Sequence, residues 1–317
     1  MRLLALCAED ELTVGELATL LGESQPQVSK KSQPLREAGL LAARRDGSRT
    51  LLKTTVPDGD GLVEVAVLEG RALCARDGSL ARIARIVAQR EELSRRYFDE
   101  LRGDELRGGE LRGDLAADRD ASGAGVAAAE LLAWLPILRP LLPGRALAVD
   151  LGTGEGTLLP LLSPLYDRVV AVDRSPARLA RCGARIATWG LPNVRLREGD
   201  VEDAGLAEDI AQRGGADLVV MARVLHHAAR PQDAITAATR LLRAGGHLAL
   251  VDYLPHDDEA MREQGDVWLG FEPAKLRGWL DATLLEPITV APFVTSAHAR
   301  SLPLQLAIGK KPLRVNH

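Results

Sequence analysis

Aromatic residues make up only 3% of this 317-residue sequence. Its core must therefore be filled by Leu, Val, Ile and Ala, and the 46% apolar content is the usual supply for a globular chain. Three cysteines, Cys7, Cys74 and Cys182, are too few and too scattered for a disulfide framework, which fits a reducing, cytoplasmic setting. No apolar run approaches the ~18–20 residues of a membrane-spanning helix, so no membrane association is expected. The apolar opening Leu3-Leu4-Ala5-Leu6 soon meets Glu9, Asp10 and Glu11 and reads as a helix, not a signal peptide. Histidine is absent before His226, which excludes a histidine-borne metal site in the N-terminal part; no metal is expected elsewhere either. The formal net charge of −4 gives no chain-wide pull toward nucleic acid.

What is present divides the chain into three stretches: residues 1–57, a connecting helix and charged linker over 58–125, and residues 126–317. In the first, Leu3, Leu4 and Leu6 begin a helix that stops near Cys7-Ala8. Thr13 with Glu16 three residues later forms a capping box for a second helix. Ser24 or Gln25 with Pro26 opens a third, running toward Ala38-Gly39, with Pro34 expected to kink or end it. Residues 43–52 carry two short strand-like runs around an Asp46-Gly47 turn, a hairpin signal. Residues 56–78 carry no clear pattern. From Ser79 to about Leu101, Leu80, Ile83, Ile86, Val87 and Leu93 form one helical stripe. A five-residue repeat follows, Asp99-Glu100-Leu101-Arg102-Gly103 and two further copies to Gly113, read as a loosely ordered linker at the domain boundary.

After Val126 the pattern is α/β. Apolar runs recur at 146–150, 169–173, 194–196, 217–221, 248–252, 288–290 and 304–308, and helical stretches separate the first five. That predicts a mostly parallel, doubly wound sheet, with the last two runs forming a hairpin and one reversed strand. The run Ala148-Val149-Asp150-Leu151-Gly152-Thr153-Gly154-Glu155-Gly156 is a buried strand ending in an acid, followed by a glycine turn into a helix beginning near Thr157. Its G-x-G-x-G spacing differs from the G-x-G-x-x-G of dinucleotide sites. Val169 to Asp173 is a second strand ending in an acid, placed to accept from ribose hydroxyls. Asp200 follows a third strand, and Met221-Ala222-Arg223-Val224-Leu225-His226-His227 leads from a fourth into a loop.

In these residues, over roughly Val126 to Leu285, the chain resembles the class I S-adenosylmethionine-dependent methyltransferases, especially those similar to ubiquinone/menaquinone C-methyltransferases. The resemblance implies a Rossmann-like seven-stranded domain with S-adenosylmethionine as cofactor and a small-molecule methyl acceptor. Asp150, Gly152, Thr153, Gly154 and Gly156 would contact the methionine end and the sugar, and Asp173, followed by Arg174, the ribose diol. Asp200 and Val201 would frame the adenine, and Ala222 would open the loop over the cofactor. Pro255-His256-Asp257 and Trp268-Leu269-Gly270-Phe271 are similar to segments in bacterial fusions of an ArsR-type helix-turn-helix to a methyltransferase, although the His-Arg pair expected before that tryptophan is Asp266-Val267 here. Arsenite methyltransferases use several cysteines, whereas this domain has only Cys182, read as a buried helix residue.

Methyl transfer from a sulfonium is an in-line displacement in which positioning and exclusion of water dominate. A general base is needed only for an acceptor proton of high pKa. The candidates are His226, His227 and His256, with Asp252 at a strand's C-terminal end; the competing reading has the histidines packing their loops. Trp268 and Phe271 read as lid or core packing, or as a stacking surface for the acceptor.

Residues 13–41 resemble the ArsR-family winged helix-turn-helix. That resemblance places Ser24, Gln25, Gln27, Ser29 and Lys30 toward a DNA major groove and Arg44, Arg45 and Arg49 on the wing near phosphate, and it implies a homodimer. Seven Lys/Arg against two acids between Ser24 and Lys53 leave this stretch basic in a net-negative chain. Two alternatives to a small-molecule enzyme stay open here: a transcription regulator that senses S-adenosylmethionine or S-adenosylhomocysteine without turnover, and a nucleic-acid or protein methyltransferase. The Asn/Asp-Pro-Pro-Tyr stretch of DNA amino-methylating enzymes is missing, which disfavours the latter.

Overall fold

The computed structural model describes residues 1–55, 61–100, 132–293 and 302–313. They fall into two units, Met1–Ser94 with Pro255–Gly270, and Arg95–Leu254 with Phe271–His317. The five-residue repeat beyond Glu100 lies outside the described residues.

The first unit runs α1 (Arg2–Glu9), β1 (Leu12–Thr13), α2 (Val14–Leu21), α3 (Gln25–Glu37), β2 (Leu41–Asp46), β3 (Arg49–Thr54), α4 (Gly61–Arg76) and into α5 (Ser79–Glu100). Leu6, Leu12, Leu17, Leu20, Val28, Leu51 and Leu52 are its buried centre, and the strands order as β1-β3-β2, all antiparallel. The box at the start of α2 is formed: Glu16 N donates to Thr13 Oγ1 at 3.1 Å and Thr13 N to Glu16 Oε2 at 2.7 Å. Such a cap stabilises a short helix by about 1 kcal/mol. Pro34 does not end α3, contrary to expectation; the helix continues to Glu37. One missing donor near a helix end is tolerated here because Leu35 and the residues after it still complete the turn, with Ala38 N donating to Pro34 O. The patternless stretch before Ser79 holds α4, whose Val63, Val67, Gly70 and Cys74 are buried.

Pro255–Gly270, distant in sequence, belongs to this first unit and carries the short helix Ala260–Glu263. Its Arg262 reaches the β2–β3 turn, where Nη2 donates to the Asp46 carboxylate at 2.5 Å and to Asp46 O at 2.7 Å. Leu269 N donates to the other Asp46 oxygen at 2.8 Å, and Ser48 N donates to Glu259 Oε1 at 2.5 Å. Ser48 together with Arg262 holds the Glu259 carboxyl below the usual carboxylate range. Trp268 is buried, with the guanidinium groups of Arg44 and Arg90 at 5.5 and 5.3 Å from its ring centre. Arg90 is itself fixed by both Glu16 oxygens and by Glu11 O. Burial opposes the charge on Glu16, but the Arg90 pairing outweighs it and lowers that carboxyl's pKa.

The second unit is a seven-stranded sheet. In chain order its elements are β4 (Ala148–Leu151), α6 (Leu159–Leu162), β5 (Val169–Asp173), α7 (Pro176–Trp189), β6 (Val194–Glu198), α8 (Ala204–Gln212), β7 (Ala216–Ala222), α9 (Pro231–Arg240), β8 (Leu242–Tyr253), α11 (Pro273–Asp281; α10 being the Ala260–Glu263 helix), β9 (Ile288–Phe293) and β10 (Leu304–Lys310). The strand order is β6-β5-β4-β7-β8-β10-β9. The first five are parallel, and β10 runs antiparallel to both β8 and β9. This is the class I, Rossmann-like methyltransferase arrangement with its single reversed strand. β4 and β5 are buried at every position, as expected of central parallel strands covered on both faces. The helix expected near Thr157 is reduced to the single turn α6, because Pro160 limits its start and Pro164 removes the donor that would extend it. Among the described residues no helix is long and apolar enough to cross a membrane.

Candidate active site

Ligands of open parallel sheets bind at the carboxyl ends of the strands, and in the second unit the acids predicted from sequence lie there. Asp150 occupies β4, Asp173 ends β5, Asp200 follows β6, Ala222 ends β7, and Asp252 lies near the end of β8. Strand pairing sets Leu151 between Val172 and Met221, and Ala222 beside Val251, so these ends form one edge.

The glycine turn is held from below. Thr153 Oγ1 donates to Asp150 Oδ2 at 2.6 Å, and Thr153 N donates to Val172 O at 2.9 Å. Gly154 N donates to Asp173 Oδ2 at 2.8 Å, while Ser175 N, at the start of α7, donates to Asp173 Oδ1 at 2.8 Å. One buried carboxylate thus ties the turn to the next strand and helix. Gly152 and Gly156 both have left-handed φ, +68° and +82°, a region that side chains other than glycine's rarely adopt. Each also lacks room for a Cβ: at Gly152 it would collide with Val224, and at Gly156 it would lie 2.8 Å from Cys182 Sγ. Cys182 is buried on α7, and burial pushes its thiol up to about 11.

Burial, reinforced by the charge of Asp173 and opposed by the Thr153 hydrogen bond, pushes the Asp150 carboxyl up to about 7. A buried acid this reluctant to ionise, beside a second acid, suits a cationic ligand, because a positive group would recover the lost solvation. Arg174 is half-buried just after Asp173. Asp200 is exposed and accepts from Val201 N at 2.6 Å.

The loop after β7 starts with Arg223 in the left-handed region, φ +55°, its N–H donating to Val251 O at 2.8 Å. A side chain held there costs of order 1 kcal/mol or more. The loop is then anchored by Asp252, which is fully buried and accepts from Leu225 N (2.9 Å), His226 N (3.3 Å), Tyr253 N (2.8 Å) and His226 Nδ1 (2.7 Å). The backbone donors leave the carboxylate as acceptor, so Nδ1 carries a proton toward it. The rings of His227 and Tyr253 lie 4.0 and 4.8 Å from that of His226.

His226 and Asp252 are therefore brought together. His256 belongs to the first unit, where its Nδ1 accepts from Asp258 N at 3.3 Å. Phe271 is buried in the second unit, edge-on to Trp279, and Trp268 is buried in the first. Of the residues assigned to DNA, Ser24, Gln25, Gln27, Ser29 and Lys30 are exposed on or beside α3, and Arg45 and Arg49 are exposed on the hairpin. Arg44 instead turns inward to Glu11 at 3.1 Å. Sequence reasoning missed Val224 against the turn and the Glu155 pairing with Arg181 and Arg185; the spacing of those arginines, one helical turn apart, was the available signal.

Residues 149–250 match the family described as "Methyltransferase domain". This part of the chain is thus a methyltransferase domain, of the class whose methyl donor is S-adenosylmethionine. The chain is similar to an uncharacterized 37.1 kDa protein in transposon TN4556 of Streptomyces fradiae, 36% identical over 34% of this chain and 30% of that one. It is also similar to the chloroplastic 2-methyl-6-phytyl-1,4-hydroquinone methyltransferase of Spinacia oleracea, 32% identical over 39% of this chain and 35% of that protein. The matched stretch spans about a third of the length of each of these two relatives. Among solved structures, an O-methyltransferase family protein from Burkholderia thailandensis is 18% identical, with a TM-score of 0.43, over 96% of this chain and 89% of that one.

Proposed function

We propose that the chain is an S-adenosylmethionine-dependent methyltransferase acting on a small molecule. The observation that carries this is the glycine turn pinned to Asp173, with the buried Asp150–Thr153 pair beneath it. Asp150, Gly152, Thr153, Gly154 and Gly156 hold the methionine end and the sugar, Asp173 with Arg174 the ribose diol, Asp200 and Val201 frame the adenine, and Ala222 opens the loop over the cofactor. When bound, S-adenosylmethionine supplies a methyl group already activated on a sulfonium sulfur. The protein's part is to orient the acceptor and exclude water. His226 takes the acceptor's proton at Nε2 where that proton is of high pKa, and Asp252 positions the ring and stabilises its charged form. His256 is the second candidate base.

The first unit is read as an ArsR-like winged helix. The exposed polar and basic face of α3 supports DNA as its partner, and a homodimer supplies the two-fold symmetry such a module uses. The three free, buried thiols support a cytoplasmic setting.

Calorimetric titration with S-adenosylhomocysteine tests the site, and formation of S-adenosylhomocysteine from the donor in the presence of a cell extract tests turnover. Binding with extract-dependent turnover is expected. Absence of binding overturns the site; binding without turnover, accompanied by cofactor-dependent DNA retention, overturns the enzyme.

A further inference from the structure

Glu155 stands between the second and third glycines of the turn, where no role has been assigned to it. Its carboxylate is shared by two arginines of α7. Arg181 Nε lies 2.9 Å from Oε1, and Arg185 Nη2 lies 2.5 Å from Oε2. Arg185 Nη1 also reaches Glu155 O at 3.4 Å. The two arginines are four residues apart, so they present both guanidinium groups from one helix face.

The same helix holds the turn in two further ways. Cys182 packs where a Gly156 side chain would be, and α7 is capped by Ser175, whose N–H shares Asp173 with Gly154. A turn built on three left-handed glycines has more alternative conformations to lose than any other sequence. Steric contacts at Gly152 and Gly156 and the Asp173 bond to Gly154 fix three points of the turn, and the Glu155 carboxylate fastens the stretch between Gly154 and Gly156 to α7.

We propose that Glu155 is a positioning residue of the cofactor site: clamped by Arg181 and Arg185, it holds the glycine turn in the shape that receives the ligand. The inference rests on reading this turn as the cofactor site. An isolated surface ion pair contributes little. Here one carboxylate closes two pairs, Arg185 also reaches the Glu155 carbonyl, and these join the Thr153–Asp150 and Gly154–Asp173 bonds on one short turn, so the effect falls on ligand affinity more than on global stability.

The test is calorimetric titration of the full chain with S-adenosylhomocysteine, for wild type, Glu155→Gln, the Arg181→Gln/Arg185→Gln pair, and all three together, with a thermal melt of each. Glu155→Gln is expected to weaken binding about three- to tenfold, with a melting temperature close to wild type. The arginine pair should lose a similar amount, and the triple variant no more than either, because the three groups act as one unit. Raising salt from about 50 to 500 mM should weaken the wild type and leave the variants nearly unchanged. Wild-type binding with unchanged affinity in Glu155→Gln, or losses that simply add, would overturn the proposal alone. A wild type that takes up no S-adenosylhomocysteine would overturn the cofactor site, and this inference with it.

Discussion

Asp46 and Arg262, 216 residues apart, share a buried ion pair at 2.5 Å inside the first unit. The pair closes the β2–β3 turn against a segment that the chain supplies only after β8. Removing one partner of a buried pair leaves a charge without compensation, which typically costs 3–5 kcal/mol. Arg262→Ala is expected to destabilise the first unit by about 3 kcal/mol, and Asp46→Ala by at least as much, since Leu269 N also loses its acceptor. Urea unfolding followed by fluorescence of Trp268 checks this, with the other tryptophans replaced by Phe.

Asp173 bonds Gly154 N and Ser175 N, and the proposed cofactor site assigns it the ribose as well. Asp173→Ala should weaken S-adenosylhomocysteine binding by about 1.5–3 kcal/mol, the usual cost of losing hydrogen bonds to a charged group. Unchanged affinity by calorimetry would count against the site.

In the proposed site Asp150 is expected to make ligand binding dependent on pH. Its carboxyl is pushed up to about 7 by burial, so below neutrality it is protonated. A cationic ligand favours the carboxylate, and binding must then release a proton. Affinity is expected to be flat above pH 7 and to fall as pH drops below it, by at most tenfold per pH unit. For the unliganded protein the sign is the reverse. Folded Asp150 holds its proton to higher pH than the unfolded carboxyl, so its contribution is fully present below about pH 4 and is lost as pH rises to about 7, at up to about 1.4 kcal/mol per pH unit. Asp150→Asn should remove both dependences, measured by titrations in buffers of different ionisation heats and by denaturation across pH 4–8.

The two arms of the basic module differ in what they can offer DNA. Lys30 is exposed on α3, while Arg44 is committed to Glu11 and the Trp268 ring. Lys30→Ala should weaken DNA retention and lower the slope of log affinity against log salt by about 1. Arg44→Ala should leave that slope unchanged and reduce stability instead. Fluorescence anisotropy over a salt series separates the two.

The sheet was legible because parallel strands buried on both faces read as unbroken aliphatic runs, such as Val169 to Val172, each closed by an acid or a glycine. Strand ends were misjudged where the ladder continues through polar residues, as at Arg197 and Glu198. The Thr13–Glu16 box was legible since both halves lie within four residues. Pro160 and Pro164 announce a short helix after the glycine turn, whereas the turn itself points only to a start near Thr157. In the site, single acids could be placed from strand order alone. What no local pattern carried was tertiary: that Asp252 would spend its carboxylate on the His226 loop, and that Asp46, a turn residue by sequence, would be a buried anchor.

Because Pro255–Gly270 is built into the first unit, the polypeptide crosses from one unit to the other three times. The two units therefore cannot be separated by a single break in the chain. A truncation after residue 94 would discard the arginine and tryptophan that complete the N-terminal interior, and exchanging that block with a related gene would part Asp46 from its counter-ion.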